Sequence, residues 1–251
     1  MRLVTRLAAA ALSGAIVLGV PASAVAQEAE APTREAGGTR MAEAKARAQQ
    51  AIERRVAALD GALARLADAA AVSDGHRATL TADLEQVKAG LTALSGEIAS
   101  ETDPGALRLL VRSIVEDFYV FRFQLPRVRL VMASDRALAV ADRLDGVASR
   151  LEALIERREA AGQDVGEAEA RLRDLRQHVT TGRNQARSAG DTAVALEVEG
   201  FPGNATVLDN ARDSLRAARG DLAAARRDAA AIVASLRAGR AGRDGGAGGA
   251  G

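Results

Sequence analysis

The sequence predicts an all-α fold: an elongated antiparallel helical bundle with coiled-coil packing. Three observations predict it. Apolar residues recur at alternating steps of three and four over several heptads, the spacing of helices that pack along a common seam. Alanine, leucine, arginine and glutamate are prominent, while aromatics make up 2% of the chain and cysteine and tryptophan are absent. No segment alternates with the two-residue period of a half-buried strand.

The opening residues carry an export pattern. Arg2 and Arg6 precede an uncharged apolar run from Leu7 to Val20, which Pro21 ends. Small residues follow, with Ala24 and Ala26 before Gln27. This is the charged, apolar and small-residue order of a secretory signal peptide, with cleavage expected after Ala26. The run is shorter than the roughly 20 residues of a spanning helix. No long apolar run follows, so the mature chain is not expected to span a membrane. The expected location is the bacterial cell envelope or exterior.

The predicted organisation is a signal peptide over 1–26, a flexible lead over 27–39, a first three-helix set over 40–125, a second over 126–237, and a disordered Gly-rich tail over 238–251. Ile52, Val56, Leu59, Leu63 and Leu66 mark the first core stripe. Leu80, Leu84, Val87, Leu91, Leu94 and Ile98 mark the second. A third helix begins at Pro104. Its stripe of Leu107, Leu110, Val111 and Ile114 leads to Phe118, Phe121 and Leu125. The fourth carries Leu130, Ala137, Ala141, Leu144, Ala148, Leu151 and Ile155, with Ser134 in one core slot. In the fifth, Gly182 occupies the slot between Val179 and Ala186. The sixth runs from Leu208 to Leu236 without a miss.

The breaks are equally marked. Ser73-Asp74-Gly75 stops one helix and caps the next. Asp103 before Pro104 is an N-cap followed by a first-turn proline. Gly162 and the stretch 200–206 are the remaining loops. Helices near 40–72, 74–102, 104–125, 127–161, 165–197 and 206–237 follow, most of them about 45–50 Å long at the usual rise per residue. Pro126 has no turn-forming residues around it, and a lone proline more often kinks a helix than reverses it. The favoured arrangement is two three-helix sets joined through a helix kinked at Pro126. The runner-up places the halves side by side in one thicker bundle.

Aromatic placement raises the one sharp question. Phe118, Tyr119, Phe121 and Phe123 crowd into a few residues, and only Phe201 lies elsewhere. At about 100° per residue, Phe118 and Phe121 fall on the core arc. Tyr119 and Phe123 fall outside it with Val115 and Val120, as a second apolar ridge. Three readings compete: packing at a junction, a self-association or partner site, and a lipid-contacting surface.

Chemistry is sparse. His76 and His178 lie on different helices with no second histidine near in sequence, and each is expected to be a partly exposed helical residue. Carboxylates interleave with arginines, as on a solvated helix face. No metal ligand set, cofactor motif or catalytic constellation is predicted. The formal net charge is +1, and removing Arg2 and Arg6 leaves the two signs nearly balanced, which argues against nucleic acid as a partner.

The heptad pattern resembles that of exported, coiled-coil-like helical proteins of bacteria. The resemblance covers the whole chain and implies no activity. The layout is also similar to spectrin-type repeats in architecture, without their sequence motifs. The function expected is a structural or protein-interaction module, with a partner protein or self-association, and not an enzyme. A membrane-active or lipid-binding protein and an exported helical chaperone are the competing classes.

Overall fold

The computed structural model describes residues 31–244, with side chains over 38–237. Among them the chain is helical with no strand. The signal-peptide residues, with Ala24, Ala26 and Gln27, lie outside the described range. α1 spans Ala31–Asp68, α2 Asp74–Ser100 and α3 Pro104–Glu116. A π-helical turn over Val120–Gln124 leads into α4, Leu125–Ala160. α5 spans Gly166–Val194, a 3₁₀ turn covers Val198–Gly200, and α6 spans Ala205–Asp244. The opening of α1, up to Glu43, is a unit separate from that beginning at Ala44.

The breaks use the expected residues. Ser73 Oγ accepts the His76 N–H at 3.3 Å, and Asp103 Oδ1 accepts the Ala106 N–H at 2.6 Å with Pro104 in the first turn. The C-terminal carbonyls of α1 are met by one side chain. Arg77 donates to the carbonyls of Leu66, Ala67, Ala69 and Val72. Those of Leu66 and Ala67 are acceptors that a helix end leaves without internal partners, whereas Ala69 and Val72 lie in the loop after Asp68. α4 stops at Gly162, whose φ of +71° closes a Schellman turn: Gly162 N donates to Glu159 O at 2.7 Å and Gln163 N to Arg158 O at 3.0 Å.

Two ends differ from expectation. α1 already begins at Ala31 inside the flexible lead, with Pro32 in its first turn, and α6 continues through 238–244 of the Gly-rich tail. Both extensions carry alanine and arginine beside their glycines, and adding residues to an existing helix avoids the cost of a new nucleus.

The heptad residues form the core. All six stripe residues of α2 are buried, as are Leu144, Leu151 and Ile155 on α4 and Leu208, Leu215, Leu222, Ile232 and Leu236 on α6. Val56, Leu63, Leu196 and Ala229 are only half-buried. α4, α5 and α6 each contact the other two, and α2 contacts α3 and α5. Neighbours run antiparallel. Lys45 Nζ donates to Ala99 O at 2.8 Å and Gln49 Nε2 to Ser95 O at 2.9 Å, which pairs α1 with α2. Arg176 meets Glu152 at 2.6 Å between α5 and α4, and His178 meets Asp221 at 3.0 Å between α5 and α6.

The bend between α3 and α4 is not at Pro126. α3 ends at Glu116, Tyr119 takes a left-handed φ of 39°, and Pro126 sits in the first turn of α4. There its missing N–H removes nothing, since the first N–H groups of a helix have no internal partner. The chain does keep its direction through the break. Phe118 lies against Gly90, Arg127 against Asp83, and Asp135 against His76, so the path descends along α2 without reversing.

The break rotates the aromatic window. Phe121 is 51% exposed, whereas Phe123 and Val120 are each 1% exposed. The core arc expected for Phe118 and Phe121, and the outer ridge expected for Tyr119, Phe123 and Val120, are therefore exchanged in part. Phe118 and Tyr119 are half-buried, and Val115 stays exposed. The reason is geometric. The phase of about 100° per residue holds only within a continuous α-helix. A left-handed residue followed by a turn closed by i→i+5 bonds resets it.

Candidate functional site

The four buried polar or charged side chains among the described residues, Gln124, Arg127, Ser134 and Asp135, all lie between the π-helical turn and the third turn of α4. This polar strip faces α2 on one side and the end of α5 on the other.

Arg127 is its centre, only 4% exposed. Its Nε donates to Ala193 O at 2.9 Å and its Nη2 to Val194 O at 2.5 Å, both in the last turn of α5. Its Nη1 donates to Asp83 Oδ2 on α2 at 2.8 Å. The guanidinium also lies 5.9 Å from the centroid of the Phe123 ring. A cation at a helix C-terminus meets the negative end of the helix dipole, and the planar fork serves three acceptors at once. One side chain thus joins three helices.

Asp135, 3% exposed, makes the second tie. It accepts the Ser73 N–H at 3.0 Å, and His76 Nδ1 lies 3.0 Å from each of its oxygens. An ionised carboxylate can only accept, so Nδ1 carries the proton in that state. His76 Nε2 stands 3.6 Å from Asp191 on α5. His76 is partly exposed on a helix, as expected, and is held between two carboxylates from α4 and α5. The buried Gly190 lets α5 approach at this point, where an added Cβ would stand 3.1 Å from Ser134 Cβ.

The fifth aromatic residue closes the junction. The loop between α5 and α6 brings the Phe201 ring to 4.7 Å from Tyr119 and 5.6 Å from Phe123, with Arg122 at 5.6 Å from its centroid. The Phe201–Pro202 peptide bond is cis. Asn204 Nδ2 donates to Glu197 O at 3.0 Å within the same loop. Of the patch proposed from the sequence, Tyr119 and Phe123 are thus covered from inside the chain. Phe121 instead faces outward, with Arg55 of α1 at 5.4 Å from its ring. Burial pushes the Arg55 guanidinium below its ordinary pKa, and the neighbouring Arg54 adds to the effect.

Beside Arg127 the junction leaves a half-open cleft of about 690 Å³, walled by α2, the start of α4 and residues 194–199. Gln124 and Phe118 line it, as do the carboxylates of Asp83, Asp117, Glu197 and Glu199. Among the described residues, no group of three or more His, Asp or Glu side chains is placed to hold a metal ion. Likewise no helix there is long and apolar enough to cross a membrane.

No protein-family model matches the chain, and no curated protein or solved structure is significantly similar to it. The functional reading therefore rests on the junction and its chemistry.

Proposed function

We propose that the chain is an exported helical scaffold of the bacterial envelope or exterior, acting as a structural or protein-interaction module and not as an enzyme. In this reading α1–α3 and α4–α6 form two three-helix sets with coiled-coil packing, coupled through the strip at the start of α4. The observation that carries it is Arg127, whose buried guanidinium is committed to acceptors on two neighbouring helices. A charge held so completely serves to fix helices against one another.

The surface proposed for association is the outer side of α3 and the π-helical turn, with a second copy of the chain as its occupant. Leu109, Val115 and Phe121 are large apolar side chains left exposed there. Exposed apolar groups of this size mark contact surfaces when they act together. The test expresses the full chain in a bacterial host. Mass spectrometry of the protein recovered outside the cytoplasm should give an N-terminus at Gln27. Light scattering should give a dimer that Val115→Ser with Phe121→Ser turns into a folded monomer. Retention in the cytoplasm with residue 1 intact would overturn the export reading. A monomer before substitution would overturn self-association.

A further inference from the structure

We infer that the contact of His76 with Asp191 is a proton-operated clamp: it fastens the start of α2 to α5 when the imidazole carries its second proton and releases it when that proton leaves. One half of the clamp is fixed. Asp135, buried on α4, accepts the Ser73 N–H at 3.0 Å and holds His76 Nδ1 at 3.0 Å from each of its oxygens. An ionised carboxylate only accepts, so Nδ1 is the donor, and in a neutral imidazole the other nitrogen is then a bare acceptor. That nitrogen, Nε2, faces Asp191 Oδ1 at 3.6 Å. Acceptor meets acceptor, beyond the length of a hydrogen bond. A second proton makes Nε2 a charged donor and gives the two groups opposite signs. The imidazole edge already lies against α5, since a Cβ added at Gly190 would stand 3.5 Å from His76 Cε1.

The surroundings leave this proton as the variable. Among the described residues, the charged side chains within ion-pair reach of the imidazole are Asp135 from α4 and Asp191 from α5. The loop over 69–73 carries no titratable side chain. On α2 itself Asp74 and Arg77 flank His76, and Arg77 is committed to carbonyls at the end of α1 and in the loop after it. His76 is 18% exposed, so protons reach it from solvent. Histidine is the side chain whose charge changes between about pH 5 and 8. The other charged tie from α2 to α4 joins Asp83 to Arg127, and arginine keeps its charge throughout that range. The sign follows from the geometry. The folded corner favours the doubly protonated ring, so the contact adds stability at the acidic end of the range and loses it as pH rises. The clamp depends neither on export nor on self-association.

The test is a double-mutant cycle on the full chain: parent, His76→Gln, Asp191→Asn and the two together, each unfolded in urea at about pH 5.5 and about pH 8, on either side of the histidine range. His178, paired with Asp221, is unchanged in all four, so its own titration cancels. The expected coupling is favourable at the lower pH, about two- to fivefold in the unfolding equilibrium, as for an exposed pair, and absent or unfavourable at the higher one. Asp191 is exposed, so Asp191→Asn keeps its fold even if His76→Gln does not. By itself the gap in stability between parent and Asp191→Asn should be wider at the lower pH. A merely structural contact would give the same coupling at both. The inference is overturned if the coupling is equal at the two pH values or larger at the higher one, or if the gap between parent and Asp191→Asn is the same at both.

Discussion

The ring of Phe201 stands 4.7 Å from that of Tyr119, edge to face at 62°, although 82 positions of chain separate them. Tyr119 is also the one non-glycine residue with positive φ among the described residues. The left-handed backbone costs roughly 1–2 kcal/mol for a residue with a Cβ. Its carbonyl repays part of this by accepting from Phe123 N at 2.8 Å and Gln124 N at 3.3 Å, and its ring by packing on Phe201. Phe201→Ala is expected to lower stability by about 2 kcal/mol, since the ring is half-buried and leaves two aromatic neighbours without a partner. At position 119 both alanine and glycine lose the ring, but glycine also relieves the strain. Tyr119→Gly should therefore be more stable than Tyr119→Ala by about 1 kcal/mol, the reverse of the order inside a helix. Urea unfolding followed by circular dichroism decides both. Alanine proving the more stable would mean that residue 119 is not left-handed in solution.

Arg127 and Lys differ most where a planar fork is used. Lysine at this position can reach one acceptor well but not Asp83 and both α5 carbonyls together. Arg127→Lys should cost about 2–4 kcal/mol, close to the cost of Arg127→Met, because either change leaves buried acceptors unpaired. Unfolding midpoints of the two variants measure this. A lysine variant as stable as the parent would show that the charge alone, and not the fork, holds α2 and α5 to α4.

The helices were legible in the sequence because each stripe residue reports its own burial through the helical period. The six stripe residues of α2, from Leu80 to Ile98, are all buried, while Val56 and Leu63 of α1 are only half-buried. The caps were legible too, since Ser73 and Asp103 act on N–H groups three residues away. The junction was not legible, for the same reason in reverse. Its partners, Arg127 with Ala193 and Val194, Asp135 with His76, and Tyr119 with Phe201, are distant in sequence and obey no period. One local sign was present. Ser134 stood in a core slot, and Arg127 and Asp135 flank that stretch, an unusual density of polar groups for a helix that must be buried on both sides. The aromatic ridge was misplaced because a period of 3.6 was carried through the break at 117–119. No glycine marks that break, and Pro126, which looked like its marker, lies beyond it.

Glu152 gives the pH dependence. Its carboxyl is held below the ordinary glutamate range by the hydrogen bond from Arg176, with a further contribution from that charge, against a smaller opposing effect of desolvation. The lowered folded-state pKa means that this pair adds stability above the unfolded value and loses it as pH falls through the folded one. Glu152→Gln removes the contribution at all pH values. The parent should therefore be the more stable protein at pH 7, and the gap should be narrower at a pH well below the ordinary carboxylate range. Both groups are well exposed, so added salt should shrink the gap at pH 7. Denaturant midpoints at the two pH values test this. A gap that widens on acidification would contradict the assigned sign.

Two glycines within helices should respond in opposite directions to alanine. Gly182 is buried where α5 meets α6, and a Cβ there would stand 3.0 Å from Leu222 Cγ and 3.1 Å from the backbone carbonyl oxygen of Ala218. A side chain can turn aside, but a helical carbonyl cannot move without its helix. Alanine would gain about 1 kcal/mol of helix propensity and lose more by forcing the two helices apart. Gly182→Ala is expected to destabilise by about 1 kcal/mol, and Gly182→Val by several. Gly146, exposed within α4, has nothing within 4 Å of its missing Cβ. Gly146→Ala should keep the propensity gain and stabilise the protein by about 0.5–1 kcal/mol. Thermal melts of the two alanine variants provide the measurement. Stabilisation by both would show that α5 and α6 lie farther apart than the contact at Gly182 requires, and the small residues along their seam would then need an explanation other than close approach.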